Sequence, residues 1–495
     1  MVRGTAAGSP RVPRVVPVTE REGDVMRTKM SLLCVAVAAC LVSASPLLLA
    51  GPAAAVSFAP AVHYDVGGGP ADLATADLNG DGLPDLVASA GDGIAVLLGC
   101  GLGRFAPATS ISLEHPPGAV ALADFDRDGT MDVVTASIDG TVIVLRGDGE
   151  GALALGGTFP TGTSPSDVVV GDLTADGVPD VATADGDGLS ILAGDGAGGL
   201  LSPLHLSVGE GCRRIVAGDL DVDGVLDLAF TRNSWDEYSG FGVLLGDGAG
   251  GFSPLVTYST YLEPGDLAVC DLNADGLPDL VTTDHLEGDA EVSAFLGDGT
   301  GALTYTSRTM FSRDLTASGL AVGDLNRDGR DDVVSTGYRP GYVIDGVTVP
   351  PGPPRIYVML SDSHDGGFFV APTSFLAGRV PGEVIAADLN GDRRPDLATT
   401  DVETESLSVR MNGVLPRLIT LRPGLGHIGS VVTLTGRRFG HTGVVYFGGT
   451  PATDYLQWSQ FRIMVRVPEG TAKGSIEVTV RTIIGGSAPK AFARL

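Results

Sequence analysis

Cysteine, lysine and aromatic side chains are all scarce in this 495-residue chain. Two of its five cysteines, Cys34 and Cys40, lie in an apolar leader. The remaining Cys100, Cys212 and Cys270 allow one bridge at most, so no disulfide framework holds the fold. Lysine occurs only at Lys29, Lys473 and Lys490, with arginine supplying the other positive charge, a bias of GC-rich bacterial genomes. With 32 basic against 60 acidic residues and a net charge of −28, the chain cannot neutralise a phosphate backbone, which excludes nucleic acid as a partner. Helical periodicity is absent too. Apolar residues alternate or run in short stretches between Gly- and Asp-rich turns, and 72 glycines suit an all-β chain with many of them.

The first 55 residues read as a leader and signal peptide. Arg27 and Lys29 precede an apolar run from Leu32 to Ala50, and Ala53-Ala54-Ala55 supplies an A-x-A cleavage pattern. Either Met1 or Met26 can be the start. Pro46, Gly51 and Pro52 interrupt the run, against a membrane anchor. The expected product is a secreted, extracellular protein with no membrane span in the mature chain.

What is abundant is one nine-residue pattern, D-x-[DNT]-x-D-G-x-x-D, recurring with small variations from Asp77, Asp124, Asp172, Asp219, Asp271, Asp324 and Asp388. The spacings are 47, 48, 47, 52, 53 and 64 residues, and each copy sits in the same context. An alternating run (Ala71–Ala76 in the first) leads into the acidic loop, Leu86-Val87-Ala88 follows, and a second apolar run ends in a Gly-rich turn such as Leu245–Phe252. Units of about 50 residues with four short strands fit the blades of a closed propeller better than a solenoid, which needs capping units. The seventh unit stops at Gly413 without an outer strand, and Phe58–Tyr64 supplies one at the other end of the chain. The first strand is therefore expected to complete the last blade, leaving no open sheet edge.

Side chains at loop positions 1, 3, 5 and 9, with the carbonyl of position 7, can converge on one cation. The loops offer Asp77, Asn79, Asp81, Leu83 and Asp85; Asp124, Asp126, Asp128, Thr130 and Asp132; Asp172, Thr174, Asp176, Val178 and Asp180; Asp219, Asp221, Asp223, Val225 and Asp227. The remaining three offer Asp271, Asn273, Asp275, Leu277 and Asp279; Asp324, Asn326, Asp328, Arg330 and Asp332; Asp388, Asn390, Asp392, Arg394 and Asp396. All-oxygen, multiply charged donors in a flexible loop select Ca²⁺, up to seven ions here. Asp and Gly also favour plain turns, but seven copies in register crowd carboxylates in a way a cation explains better. The loops at Asp124 and Asp219 carry four carboxylates and are the richest. Thr174 makes the loop at Asp172 the poorest.

Units such as Ala268–Ala294, with Asp271-Leu272-Asn273-Ala274-Asp275-Gly276-Leu277-Pro278-Asp279 and then Leu296-Gly297-Asp298-Gly299, resemble FG-GAP/VCBS repeats, the units of the integrin α-subunit propeller. The resemblance covers residues 56–413. It implies a seven-bladed β-propeller with Ca²⁺ in the loop between strands 1 and 2 of each blade, and it fixes no single function. Residues 415–495 change pattern. Gly429–Gly436, Val444–Gly449 and Val465–Pro468 read as short strands of a small Ig-like β-sandwich and resemble an IPT/TIG domain.

With the Asp loops on one face, the enlarged connections 233–240 and 337–354 lie on the other. They present Trp235, Tyr238, Tyr338 and Tyr342 there, with Tyr258 and Tyr261 on a neighbouring loop. Aromatics on one face suit a glycan or an extracellular protein ligand, although they also serve to cover blade edges. Catalytic motifs are missing: the histidines are scattered, without H-E-x-x-H or G-x-S-x-G, and a Ca²⁺-bound carboxylate is a poor general acid. The expected role is a calcium-binding adhesion or carbohydrate- or protein-binding module and no enzyme. A polysaccharide lyase or hydrolase built on the propeller, and a purely structural scaffold, are the alternatives.

Overall fold

The computed structural model describes residues 56–495 except 233–238, 261, 287–288, 313–315, 340, 345–346, 363–368, 414–416, 438, 440–443, 460, 483–484 and 488–489. The leader and its cysteines lie outside the described residues. The chain is all-β apart from one 3-10 turn, Val402–Thr404, among the described residues.

Among the described residues, seven four-stranded antiparallel sheets follow one another between Val62 and Arg410. The first consists of Pro70–Ala76, Asp85–Ala90, Gly93–Leu97 and Thr109–Ser112, in that order from its inner to its outer strand. The inner strands of the next six are Pro117–Ala123, Asp167–Gly171, Cys212–Gly218, Glu263–Cys270, Thr316–Gly323 and Pro381–Ala387. Each inner strand packs against the next, and the seventh packs against the first, which closes a propeller ring. The last sheet takes its outer strand, Val62–Asp65, from the start of the chain, paired with Ser406–Arg410 through Val62↔Val409 and Asp65↔Ser406. The closure expected from Phe58–Tyr64 is thus present, with Phe58 bridging Asn412 just beyond it.

The core lies in the seams between sheets. Leu73, Leu86, Ala398, Leu407 and Val409 fill the seam between the seventh and first sheets, and Val87, Ile94, Val120, Val133 and Ile143 the next. Five further clusters repeat this arrangement around the ring. A second strand such as Asp85–Ala90 is covered on both faces by neighbouring sheets, so every residue in it is buried. That burial explains why its sequence, Asp-Leu-Val-Ala-Ser-Ala, lacks the polar alternation of a half-solvated strand.

Strands Arg417–Arg422, Val431–Arg437, Tyr455–Trp458 and Arg462–Arg466 form one sheet of a second β unit. Val444–Phe447, Gly474–Thr482 and Lys490–Arg494 are the main strands of the other. Val432, Leu434, Phe447, Ile463, Val478 and Phe492 are buried between the two. Cys100, Cys212 and Cys270 are all free thiols.

Candidate functional site

Every Asp-rich loop joins the inner strand of its sheet to the second strand, and all seven wind in nearly the same way. The first carboxylate accepts two backbone N–H groups. Asp77 takes those of Asp81 and Gly82 at 3.2 and 2.8 Å, and Asp124 those of Asp128 and Gly129 at 3.1 and 2.9 Å. Asp172, Asp219, Asp271, Asp324 and Asp388 repeat this. The carboxylate at position 5 then accepts the N–H of position 7, as from Leu83, Thr130, Val178, Val225, Leu277, Arg330 and Arg394.

The winding needs left-handed backbone at positions 4 and 6. Gly82 has φ 81°, and glycines occupy position 6 in the next five loops. In the seventh, Arg393 takes that conformation with φ 66°. Position 4 is left-handed even where it is not glycine, as at Arg127, Ala175, Val222, Ala274 and Arg327. Each non-glycine residue there costs about 1–2 kcal/mol.

The ninth residue does something the sequence did not reveal. Asp85, Asp132, Asp180, Asp227, Asp279, Asp332 and Asp396 are all buried. One oxygen accepts the N–H of position 2 in the same loop, from Leu78, Phe125, Leu173, Leu220, Leu272, Leu325 and Leu389. The other accepts an N–H at or just past the end of the third strand, from Gly99, Gly147, Gly194, Gly246, Gly297, Ser361 and Asn412. The carboxylate therefore staples the loop to the sheet. Burial pushes these groups up, to about 6 for Asp227 and Asp279, about 7 for Asp332 and about 8 for Asp396.

The donor set fits a hard cation. Carboxylate oxygens of Asp124, Asp126 and Asp128 lie within 4.8 Å of one another, as do those of Asp219, Asp221 and Asp227. These are the two loops richest in carboxylates. The side-chain oxygen of Asn326, at position 3 of the sixth loop, is buried without a hydrogen-bond partner, as an oxygen kept for a cation would be. Calcium held there would neutralise charge, and the loop residues would supply its oxygens.

The aromatic face is reached only in part. Trp235, Tyr238 and Tyr261 lie outside the described residues. Tyr338 ends a second strand, half-buried, and the backbone of Tyr342 pairs with Val349 in a two-stranded ribbon. Tyr258, expected on a loop, belongs to the outer strand Val256–Ser259. Its ring stacks on Phe241 at 5.0 Å and its hydroxyl accepts the Leu303 N–H, so it covers a seam.

A second charged cluster lines the centre of the ring. Asp72, Asp167, Arg214, Asp266 and Glu383 each stand one residue before an apolar inner-strand residue, at matching positions in five sheets. Asp72, Asp167 and Asp266 each accept one N–H from the next sheet's inner strand, from Val120, Ile215 and Leu320 at 2.7, 2.9 and 3.0 Å. Arg214 reaches across to pair with Glu383. Burial pushes Asp167 up to about 7. Superposing the repeats in sequence shows these positions. A search for motifs does not.

The FG-GAP-like repeat profile matches residues 77–135, 124–183, 172–230 and 271–335, and the IPT/TIG domain profile matches residues 418–493. The repeat matches take in the first six Asp loops. The seventh, where Arg393 stands in place of glycine, lies outside them. No curated protein matches the chain by sequence. Among solved structures, BBS1N in complex with ARL6DN is similar, with a TM-score of 0.50 and 12% identity over 72% of this chain and 96% of that one. An Agrocybe aegerita lectin that recognises non-reducing terminal N-acetylglucosamine has a TM-score of 0.43 and 18% identity over 66% and 92% of the two chains. A fungal alcohol oxidase in complex with copper has a TM-score of 0.42 and 12% identity over 89% and 99%. At such identities the first likeness concerns the fold alone. The chain thus contains four FG-GAP-like repeat matches followed by an IPT/TIG domain.

Proposed function

We propose that this chain is an exported, calcium-loaded β-propeller acting as an adhesion or recognition module outside the cell. In this reading residues 1–55 are removed as the leader, 56–413 form the propeller, and 415–495 form a spacer or second interaction unit. The observation that carries it is the loop geometry, with the carboxylates of Asp124, Asp126 and Asp128 and of Asp219, Asp221 and Asp227 gathered into two clusters. Oxygen donors of this kind favour Ca²⁺, a hard cation of variable coordination number. The partner is a glycan or an extracellular protein bound away from the Asp loops, which serve the fold. Titration of Tb³⁺ into the metal-stripped protein, followed by displacement with Ca²⁺, tests the reading. Sensitised luminescence that Ca²⁺ removes is expected, and it should fall when Asp126 and Asp221 are both changed to Ala. A protein that binds neither ion sinks it.

A further inference from the structure

Two open cavities lie on the face opposite the Asp loops, each at a seam between sheets. One, of about 500 Å³, sits between the second and third sheets and is lined by Asp139, Thr161, Thr163, Asp187 and His205. The other, of about 660 Å³, sits between the sixth and seventh sheets and is lined by His63, Asp65, Arg379, Thr404 and Ser406. They lie on different sheets, yet they are built alike.

In each, a buried aspartate at the end of a second strand accepts a hydrogen bond from a serine on the third strand, which in turn meets an exposed histidine on the outer strand. The sets are Asp185, Ser190 and His205, and Asp401, Ser408 and His63. Serine Oγ lies 2.8 Å from His205 Nδ1 in the first and 2.7 Å from His63 Nδ1 in the second. A glycine in the preceding connection, Gly162 or Gly378, lies against that aspartate so closely that a Cβ would collide with the carboxylate. Two residues further on, Ser164 and Val380 both hold left-handed backbone with φ 50°. Strain at a β-branched residue such as Val380 persists only where the surroundings impose it.

The propeller does not require this arrangement. At the aspartate's position the first sheet has Ala90 and the fourth has Arg232. The fifth keeps the Asp284–Ser293 pair but sets Arg308 opposite the serine, where Arg308 pairs with Glu291. Two sheets thus bury a carboxylate and strain a loop to fix one histidine each.

The hydrogen-bond pattern states what that histidine offers. Serine gives its one proton to the carboxylate, so its oxygen accepts the Nδ1–H, and Nε2 of an unprotonated ring is then left as an acceptor. Beside it each cavity has a carboxylate, Asp187 or Asp65, and hydroxyls that donate or accept, Thr161 and Thr163 or Thr404 and Ser406. Fixed acceptors beside adaptable hydroxyls match a neutral ligand with several adjacent O–H donors. In the first cavity Asp139 is paired with His115 and Asp187 faces an incoming ligand as a carboxylate, while the second holds both Asp65 and Arg379, so neither lining selects for a charged ligand of one sign.

We infer that the two cavities are equivalent sites for a neutral polyhydroxylated ligand, the terminal sugar of a glycan, with His205 and His63 as the orienting acceptors. This rests on the recognition reading above and assigns its ligand.

An array of immobilised neutral mono- and oligosaccharides, incubated with the protein in calcium-containing buffer, tests it. Binding to at least one terminal sugar is expected. His205→Ala or His63→Ala should weaken it at least ~10-fold, because attachment through two sites is lost, and the double variant should fall to background. Both side chains are exposed, so the variants should melt like the parent. Ser190→Ala and Ser408→Ala, which leave the histidines in place but unheld, should also weaken binding. Undiminished binding by the double variant would overturn the sites while leaving the recognition reading intact. A blank array from protein that still captures an extracellular protein overturns the sugar assignment, and a blank array with no protein partner overturns both.

Discussion

At the ninth position of each loop one carboxylate ties together the loop start, the second strand and the end of the third. For Asp227 those ties are the N–H groups of Leu220 and Gly246, at 2.7 and 2.8 Å. Asp227→Ala would leave both N–H groups without a partner at a buried site, a loss of about 2–5 kcal/mol. That loss should persist in EDTA, and because Asp227 also belongs to the Asp219–Asp221–Asp227 cluster it should grow further when Ca²⁺ is present. Asp221→Ala, two residues into the loop, should lower Ca²⁺ affinity while changing stability in EDTA by well under 1 kcal/mol. If the two variants behave alike, the separation between staple and ligand is wrong. Asp284 shows a different effect, that of burial on a proton. It is fully buried between Thr282 and Ser293, and burial pushes its carboxyl up to about 7, against about 4 in an unfolded chain. Below about pH 4 both states hold the proton and burial carries no penalty. Between about 4 and 7 only the folded state holds it, so stability falls as pH rises. Asp167, also pushed up to about 7, adds to the same trend. The denaturant midpoint in EDTA should therefore drop from pH 5 to pH 8, and Asp284→Asn should flatten the drop. A midpoint that rises over that range contradicts the assignment.

At the scale of strands and sheets, the repeat was readable because everything it needs is local. Asp77 to Asp85 form one loop within nine residues, and the flanking strands follow at once. The missing outer strand was readable too, since the last unit visibly lacked one. What escaped were contacts between residues far apart in the chain. His63 meets Ser408 across 345 residues and Arg214 meets Glu383 across 169, and no local pattern marks either partner. The histidines look scattered because each belongs to a different sheet. Tyr258 was misplaced because an aromatic beside a turn reads the same whether it faces solvent or a seam. Its neighbours Phe241 and Phe295 come from different sheets. The closing strand carries its own prediction. Removing residues 56–65 would expose Ser406–Arg410 as an open edge and uncover Leu407 and Val409, which are buried in the seventh-to-first seam. The truncated protein should unfold at lower denaturant and scatter light on concentration, as unprotected edges pair between molecules. A truncated protein that stays monomeric with an unchanged midpoint would mean the ring does not depend on this closure.

Over the whole molecule the strongest constraint is charge. A net −28 rests on a scaffold whose Asp loops hold several carboxylates within nine residues each, so the folded ring works against its own repulsion unless cations intervene. Plain screening and specific binding both relieve that repulsion, and they differ in how they scale. Monovalent salt acts on exposed charges through the Debye length and saturates as that length shrinks to a few ångströms. A bound ion instead stabilises by RT ln(1 + [L]/Kd). For extracellular-type sites with Kd of roughly 10⁻⁴–10⁻³ M, about 10 mM Ca²⁺ gives ~1.4–2.7 kcal/mol per site. The clusters at Asp124 and Asp219 alone would then contribute about 3–5 kcal/mol, rising with the logarithm of calcium concentration. Mg²⁺ requires a small, rigid octahedral shell and releases its waters reluctantly, so it should fall well short of Ca²⁺ at equal concentration. Thermal melts in EDTA, NaCl, MgCl₂ and CaCl₂ at matched ionic strength separate the two cases. The expected order is CaCl₂ well above MgCl₂, with NaCl slightly above EDTA. Equal gains in all three salts would make the loops acidic turns that any cation screens, and would remove calcium from the account of how the ring is held.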